Sequence, residues 1–182
     1  MGIFRREDDV SFDDVVVRPA GMGDVDDLYR VRIAPGAAAE TLALPSISRE
    51  SFAAGHQRAL ESPSNHLLVA ETGGRVVGMV NLAVGGARRA HSGNLGMAVH
   101  DDYWGRGIGT RLLSAVLELA DLWLALERVE LEVYRDNVRA IALYGKFGFA
   151  AEGIKRRGAV RDGRHVDIMI MGRLRVDRKE VR

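Results

Sequence analysis

The segment VHDDYWGRGIGTRLL, residues Val99–Leu113, carries more structural information than any other part of this chain. Its pattern predicts a strand end that passes through a tight glycine loop directly into an amphipathic helix. Gly105, Gly107 and Gly109 remove the side chains that would keep a ligand away from the backbone. The first N–H groups of the helix that starts near Ile108 have no partner within that helix. A pyrophosphate fits such a loop, and the positive end of the helix dipole favours it.

A second segment, Asp136–Phe149 (DNVRAIALYGKFGF), predicts a helix that carries functional side chains on one face. Asn137 and Tyr144 lie seven residues apart. That spacing is about two helical turns, so the two side chains share a face. Taken alone, Tyr144 also suits packing beside Ile141 and Phe147, and Asn137 also suits a helix cap. The phosphate-binding loop upstream favours a site role for both residues.

Together the two segments resemble the GCN5-related N-acetyltransferase (GNAT) family. The order of elements from roughly Val16 to Leu174 is similar to the whole family domain, and the stretches VRPA, DLWLALERVELEVYRDN and DGRHVDIMIMGRL look most like bacterial L-amino-acid N-acetyltransferases. The resemblance implies an α/β (α+β) fold with a mixed, mainly antiparallel sheet of six or seven strands and helices on both faces. It also implies that acetyl-coenzyme A (acetyl-CoA) is the acyl donor. Trp104 departs from the family pattern, in which the loop often opens with Gln or Arg.

The resemblance implies roles for individual residues on the cofactor side. Tyr144 matches the family's usual general acid, and an ordinary tyrosine pKa of about 10 leaves it protonated and able to donate at neutral pH. The backbone of Met97, Ala98 and Val99 would pair with the pantetheine amides, and one of its N–H groups would polarise the thioester carbonyl. The other expected cofactor contacts are Gly105, Arg106, Gly107, Ile108, Gly109, Thr110, Asn137 and Lys146.

The acceptor side is less sharply defined by the sequence. The segment Gly36–Ile47 is apolar without a clear period, and it suits either a pocket lining or an ordinary loop against the core. We expect acceptor contacts from Thr41 and Leu42 in that segment, from Asn94, and from His165 beside the last hairpin turn. The acceptor amine must lose a proton before it attacks. The candidates for this base, among which the sequence does not choose, are Glu130, Glu132, His91, and Asn94 acting through water.

The hydrophobic pattern predicts the element order β α α β β β α β α β β. Asp24 is expected to cap a helix over residues 25–34, which Pro35 ends. A second helix is expected from Ser48, which caps it, to about Glu61. A terminal hairpin is expected to turn at residues 161–164. The helix from Gly107 to about Leu126 is expected to bury Leu112, Val116, Leu119 and Trp123.

Composition bounds the class of protein. The 182 residues, 47% hydrophobic and 28% charged, suit one soluble globular domain, which we place at residues 14–176 between tails at 1–13 and 177–182. A net charge of +1 gives no electrostatic case for a nucleic-acid partner. The chain has no cysteine, which excludes a disulfide framework, a thiolate zinc site and a cysteine acyl-enzyme, so transfer must be direct. The histidines show no metal-ligand spacing, and we expect no metal.

The first residues, MGIFRREDDVSFDD, lack the apolar core of a signal peptide, and no apolar run approaches the roughly 20 residues that span a bilayer. We therefore expect a cytoplasmic protein with no membrane partner. The apolar face of the second helix suits either a homodimer interface or the core of a monomer.

These observations favour an acetyl-CoA-dependent N-acetyltransferase that acts on the primary amine of a small molecule, and the resemblance implies a free amino acid. Two alternatives remain open: acetylation of a protein N-terminus or lysine, and a non-catalytic sensor that only binds acyl-CoA. An enclosed pocket beside the thioester would favour a small acceptor. A surface groove would favour a protein tail, and a blocked acceptor channel would favour the sensor.

Overall fold

The computed structural model describes residues 14–44 and 46–175, so the tails expected at 1–13 and 177–182 lie outside the described residues. The predicted element order is confirmed, with one additional short helix, α2. The helices are α1 (Val25–Ile33), α2 (Pro35–Glu40), α3 (Arg49–Glu61), α4 (Ile108–Glu118) and α5 (Val138–Lys146). The strands are β1 (Val16–Pro19), β2 (Asn65–Thr72), β3 (Arg75–Val84), β4 (Ser92–Val99), β5 (Arg128–Tyr134), β6 (Ala150–Arg161) and β7 (Arg164–Leu174).

The seven strands form one sheet in the order β1-β2-β3-β4-β5-β7-β6. The β4–β5 pair is parallel and the other pairs are antiparallel, which confirms the mixed, mainly antiparallel sheet. Over the described length of β4 and β5, their pairing is confined to residues 92–94 and 128–130. Beyond Asn94 the two strands diverge and leave a slot in the middle of the sheet. The backbone of Gly96–Val99 therefore has a free edge on the side that faces β5.

Helices cover both faces of the sheet, as predicted. Side chains alternate between the faces along each strand, and α4 and α5 pack on the face that carries the main core, including Leu82, Leu112 and Leu131. The other face carries α1 and α3, with Leu28 and Val69 fully buried between them and the sheet. The slot between β4 and β5 joins these two faces. No helix in the described part of the chain combines the length and apolar character needed to cross a membrane.

The helix that was predicted to run from Gly107 to about Leu126 is α-helical over a shorter stretch than expected. α4 ends at Glu118, and a π-helical turn follows over Leu119–Trp123. Leu112 and Val116 are buried as predicted, but Trp123 is 79% exposed, so its predicted burial is wrong. A π turn bonds each residue to the fifth one along. It therefore moves the later side chains out of the 3.6-residue phase on which that prediction depended.

Asp24 precedes α1, but its carboxylate does not cap that helix, so this prediction is wrong. The carboxylate accepts the backbone N–H of Gly21 at 2.8 Å and two N–H groups of the Arg18 guanidinium at 2.7 and 2.9 Å. Arg18 also donates to Glu71 of β2 at 2.7 Å. The carboxylate is thus used to fasten the β1–α1 connection to the sheet.

The segment expected to be irregular from Gly36 begins as a helix. α1 stops at Ile33, as Pro35 predicts, but Pro35 then occupies the first turn of α2. Proline suits that position because its missing N–H would have no helical partner and its φ is already helical. The described residues of this segment that remain irregular are 41–44 and 46–47.

Two local predictions are confirmed. The Ser48 side chain accepts the backbone N–H of Ser51 at 3.2 Å and caps α3. The terminal hairpin turns at Asp162 and Gly163, which have φ values of 52° and 71°. Two left-handed residues in succession match the twist of the flanking strands, which is typical of a two-residue hairpin loop.

Candidate active site

A cavity of about 990 Å³ runs through the slot between β4 and β5. Its lining comes from both faces of the sheet, so it has two halves. The donor half lies among the glycine loop, the free edge of β4 and α5. The acceptor half lies among α1, α2, residues 41–43 and the facing sides of β3, β4 and β5. The volume is at the upper end of the range for small-molecule sites.

The glycine loop leads into α4 through two left-handed residues. Gly105 and Gly107 have φ values of 75° and 77°, a region that residues with a Cβ rarely adopt. A Cβ built on either residue would meet no atom within 4 Å, so both positions face open space. Gly107 directly precedes α4, whose first N–H groups have no partner within the helix. Bare backbone at a helix start fits the pyrophosphate of a nucleotide cofactor.

Gly109 serves packing within the same loop. A Cβ at this position would lie 3.1 Å from Cδ2 of Leu143 on α5 and 3.5 Å from Cε of Met97 on β4. The glycine therefore lets α4 approach α5 and β4 closely. Its neighbours Ile108 and Thr110 also line the cavity, and Ile108 is almost fully buried.

Trp104 fixes the glycine loop to its surroundings. Its indole N–H donates to the carbonyl oxygen of Val99 at 2.7 Å, and the Arg139 guanidinium lies 3.6 Å from the ring centroid. A Cβ on Gly36 would lie 2.7 Å from the indole ring, so α2 passes directly over it. Trp104, which departs from the family pattern, thus contacts both the end of β4 and α2 and ties the glycine loop to them.

Tyr144 lies on α5, lines the donor half and is only 7% exposed. Burial raises the pKa of its hydroxyl to about 12, so the group keeps its proton throughout the neutral range. Its ring also packs against Phe149, with the ring centroids 5.7 Å apart. The packing and site interpretations of Tyr144 are therefore compatible.

Asn137 also combines two roles. Its amide oxygen accepts the N–H of Ala140 at 3.0 Å and caps α5. The same residue lines the cavity, two helical turns from Tyr144. The cap uses the oxygen, and the amide NH₂ group is a separate donor.

The acceptor half contains buried polar atoms that have no hydrogen-bond partner. Buried polar groups are normally hydrogen-bonded, so a cluster of orphans around one cavity indicates a polar ligand. Within the described residues, the orphans that belong to cavity-lining side chains are Nε of Arg32, Oε2 of Glu40, Oγ1 of Thr41 and Oδ1 of Asn81.

The acceptor half is partly covered by the chain that follows α2. The hydroxyl of Tyr134 at the end of β5 donates to the carbonyl oxygen of Thr41 at 3.3 Å. The Arg161 guanidinium, from the terminal hairpin, lies 4.6 Å from the centre of the Tyr134 ring. The hydrogen bond places Thr41 beside the end of β5, where it narrows the acceptor half.

The structure brings most of the sequence-predicted site residues together in this cavity. Arg106 and His165 are the exceptions. The Arg106 guanidinium lies over the Tyr103 ring, 5.3 Å from its centre, and does not line the cavity. His165 is exposed at the start of β7 and lies outside the lining of this cavity. The predicted residues that do line the cavity are Thr41, Leu42, Asn94, Met97, Ala98, Val99, Gly105, Gly107, Ile108, Gly109, Thr110, Asn137, Tyr144 and Lys146.

Two of the four candidates for the base line the cavity. Asn94 and Glu132 line it, whereas Glu130 and His91 do not. The Glu132 carboxylate accepts a hydrogen bond from the Lys155 ammonium on β6.

Sequence reasoning missed several residues of the lining. Strand alternation offered a signal for Tyr134, because it shares a strand face with Glu132. The helical and strand patterns gave no signal for the other missed residues, because their place in the lining depends on which elements meet at the slot. The missed polar and aromatic residues are Arg32, Glu40, Phe52, Asn81, Tyr103, Trp104, Tyr134 and Arg139.

Comparison with known proteins agrees with the geometry. Residues 37–149 match the model of the acetyltransferase (GNAT) family. The chain is 32% identical over 163 residues to the L-amino acid N-acetyltransferase AaaT of Escherichia coli. This match covers 89% of this chain and 99% of that protein. It is 38% identical over 109 residues to the N-alpha-acetyltransferase RimI of Mycobacterium tuberculosis. That match covers 57% of this chain and 64% of that protein.

A solved structure shows the same fold. The crystal structure of spermidine N-acetyltransferase from Vibrio cholerae, in complex with CoA and spermine, superposes with a TM-score of 0.80. The two chains are 20% identical, and the match covers 89% of this chain and 96% of that one.

Proposed function

The chain belongs to the acetyltransferase (GNAT) family, and from this premise we propose that it acetylates the α-amine of a free amino acid. It is an N-acetyltransferase, and acetyl-CoA is its acyl donor. The proposal concerns the acceptor and the roles of individual residues. The observation that carries it is the acceptor half of the cavity, a partly covered pocket with orphaned polar atoms, which suits a small polar acceptor. The end-to-end match to an L-amino acid N-acetyltransferase supports the same class.

On the donor half, the bare backbone of Gly105 and Gly107 and the start of α4 would hold the pyrophosphate of acetyl-CoA. The edge of β4 at Met97–Val99, which does not pair with β5, would bind the amides of the pantetheine arm through its backbone groups other than the Val99 carbonyl, which accepts the Trp104 indole N–H. When bound, acetyl-CoA supplies the thioester carbonyl that the acceptor amine attacks. An N–H group of the same strand edge would polarise that carbonyl.

Tyr144 would stabilise the charge that develops on the departing sulfur. A hydroxyl with a pKa of about 12 holds its proton firmly, whereas free thiols have pKa values near 8.5. Hydrogen-bond donation from Tyr144 to the sulfur therefore fits these values better than complete proton transfer. The buried position of the hydroxyl strengthens such a bond, because water does not compete for it.

Two carboxylates line the acceptor half and would remove the proton from the acceptor amine, directly or through water. Glu40 has an orphaned, buried oxygen. The Glu132 carboxylate already accepts a hydrogen bond from the Lys155 ammonium, so it is engaged by a side chain of β6. Glu40 is therefore the better candidate of the two.

Acetylation of a protein N-terminus is a second candidate, which the identity to RimI favours. That acceptor would have to enter as an extended chain. The bond between Tyr134 and Thr41 crosses the acceptor half and opposes such an entry.

The proposal is tested by measuring release of CoA thiol from acetyl-CoA in the presence of single acceptors. The acceptors are free amino acids, spermidine, spermine and short peptides with the same N-terminal residues. The protein has no cysteine, so a thiol reagent reports CoA alone. We expect release to rise with free amino acids. Release that rises only with polyamines, or only with peptides, would overturn the proposed acceptor class.

A further inference from the structure

We propose that Arg32 binds the α-carboxylate of the acceptor and thereby selects free amino acids over polyamines and peptide amines. The inference rests on the proposed function and assigns its specificity to one side chain. Neither the family match nor the relatives' names assign a role to this residue.

Arg32 is an arginine that has no carboxylate partner among the described residues. It lies near the end of α1 and lines the cavity, and its buried Nε atom has no hydrogen-bond partner. In the described part of the chain, no aspartate or glutamate forms an ion pair with it. Burial lowers the pKa of its guanidinium, and no charged neighbour contributes to this shift. Arginines elsewhere in the fold do pair with carboxylates, namely Arg18, Arg30, Arg49, Arg128, Arg135, Arg161 and Arg173.

An unpaired guanidinium in this position is costly for the empty protein. Arginine stays charged at any physiological pH. Partial burial of that charge is unfavourable unless a partner of opposite charge compensates for it. A ligand that brings a carboxylate to Arg32 would supply this partner. A guanidinium also matches a carboxylate geometrically, because two parallel N–H groups can donate to its two oxygens.

The location of Arg32 is the one that an acceptor carboxylate requires. α1 packs on the face of the sheet opposite the main core, so Arg32 shares the acceptor half with Asn81 and Asn94. Tyr144 and the glycine loop lie across the slot, on the donor half. An amino acid in the acceptor half can therefore direct its amine toward the slot while its carboxylate remains on the side of α1.

The charge of Arg32 discriminates among the acceptors of the relatives named above. A polyamine carries only cationic groups and would bring a second positive charge beside a half-buried guanidinium. The N-terminal residue of a peptide has a neutral amide in place of the carboxylate. Of the three acceptor classes, only the free amino acid completes the ion pair.

The test measures kcat/KM for one apolar amino acid and for its α-amide, with the wild-type enzyme, Arg32→Met and Arg32→Lys. Each variant is compared with the wild type on the same substrate, so the different basicities of the two amines cancel. We expect Arg32→Met to lower kcat/KM about 10- to 100-fold for the free amino acid, the value of a lost charge-assisted pair. We expect a change below about threefold for the amide. Arg32→Lys retains the charge without the paired N–H groups and should give an intermediate loss.

Arg30→Met is the matched control. Arg30 lies on the same helix, but it is exposed and pairs with Asp27, and it does not line the cavity. We expect it to leave kcat/KM unchanged for both substrates. The melting temperature and the Kd for acetyl-CoA of each variant report folding and the donor half separately.

Two results would overturn the proposal. One is an equal loss for amino acid and amide in Arg32→Met with an unchanged Kd for acetyl-CoA, which would make Arg32 a structural residue. The other is no loss for the free amino acid. Failure of the proposed function is recognised separately, because the wild-type enzyme itself would then fail to acetylate the free amino acid while it acetylates spermidine or a peptide.

Discussion

At the scale of single residues, Tyr144 illustrates how one side chain serves the core and the site. The same burial that packs its ring against Phe149 raises the pKa of its hydroxyl to about 12. The packing therefore prepares the hydroxyl as a permanent hydrogen-bond donor. Loss of this hydroxyl should therefore lower turnover without lowering the affinity for acetyl-CoA.

We expect Tyr144→Phe to lower kcat by about 100-fold, in the range typical of a lost acid–base or hydrogen-bonding group. The Kd for acetyl-CoA should change little, because the ring remains in place. Steady-state kinetics and isothermal titration measure the two quantities. Tyr29→Phe is the control, since the Tyr29 hydroxyl donates to Ile47 away from the cavity. Equal kcat values for Tyr144→Phe and the wild type would return Tyr144 to a packing role alone.

The residues of the site differ in how far sequence reasoning reaches them. Helical periodicity places Asn137 and Tyr144 on one face, and the glycine loop together with the family resemblance favoured a site role for both. Arg32 was missed because its importance depends on the absence of a partner, and only the packing of α1 against the sheet determines that. A helix pattern places an arginine on a polar face, but it does not show whether a carboxylate of another element pairs with that arginine in the folded protein.

At the scale of secondary-structure elements, the loop before α4 carries the central prediction. Gly107→Leu places a side chain in the open space that the bare backbone now faces. We expect the Kd for acetyl-CoA to rise by at least about 10-fold, because the phosphate oxygens lose charge-assisted bonds to the backbone. The left-handed φ also costs about 1–2 kcal/mol in unfolding free energy for a residue with a Cβ.

Gly74→Leu separates these two effects. Gly74 has a φ of 74° and open space around its Cβ position, but it lies in the β2–β3 turn, remote from the cavity. It should suffer the same loss of stability with no change in the Kd. If both variants bound acetyl-CoA equally well, the glycine loop would not be the phosphate site.

The connection between β1 and α1 predicts a pH-dependent stability. The Arg18 guanidinium, with help from the N–H of Gly21, holds the pKa of Asp24 below its ordinary value. A carboxylate whose pKa is lowered by folding stabilises the protein above its unfolded-state pKa, and that contribution is lost as the pH falls through the folded-state value.

We therefore expect Asp24→Asn to destabilise the protein by about 1–2 kcal/mol near pH 7, with the difference shrinking below about pH 4. Urea unfolding at a series of pH values measures this. Asp26→Asn is the control, because Asp26 is exposed and its pair with Arg49 lies at the surface. A difference for Asp24→Asn that stays constant down to pH 2 would contradict the assignment.

Elements were predicted best where the signal is local. The Ser48 cap and the two-residue turn at Asp162 and Gly163 are confirmed because cap and turn chemistry depends on adjacent residues. Trp123 was predicted buried because a regular helix was assumed, and a single π turn rotates it to the surface. Asp24 was predicted to cap a helix, but its carboxylate instead accepts hydrogen bonds from Arg18 on β1.

At the scale of the whole molecule, the divergence of β4 and β5 creates the site. It exposes a strand edge, joins the two faces of the sheet and brings the glycine loop opposite α1 and α2. The amino-acid pattern shows the strands but not their divergence, because no residue within β4 or β5 marks where pairing stops. The resemblance to the family implied the consequence of this divergence, that the backbone of Met97–Val99 would pair with the pantetheine amides.

A cofactor that fills this slot binds the folded protein and should stabilise it as a whole. At 100 times its Kd, acetyl-CoA should add about 2.7 kcal/mol to the free energy of unfolding. For a chain of this size that corresponds to a rise in Tm of roughly 5–10 °C. Differential scanning fluorimetry measures the shift, and Gly107→Leu should show a much smaller one. An equal shift in both proteins would mean that acetyl-CoA binds elsewhere.

The most direct measurement is a competition among the acceptor classes in one vessel. The enzyme receives limiting acetyl-CoA and an equimolar mixture of a free amino acid, its α-amide, spermidine and a peptide that begins with the same residue. Mass spectrometry of the products gives the ratios of kcat/KM directly, because the acceptors compete for the same enzyme. We expect the N-acetyl amino acid to dominate the products. A mixture dominated by acetylspermidine or acetylated peptide would contradict this expectation.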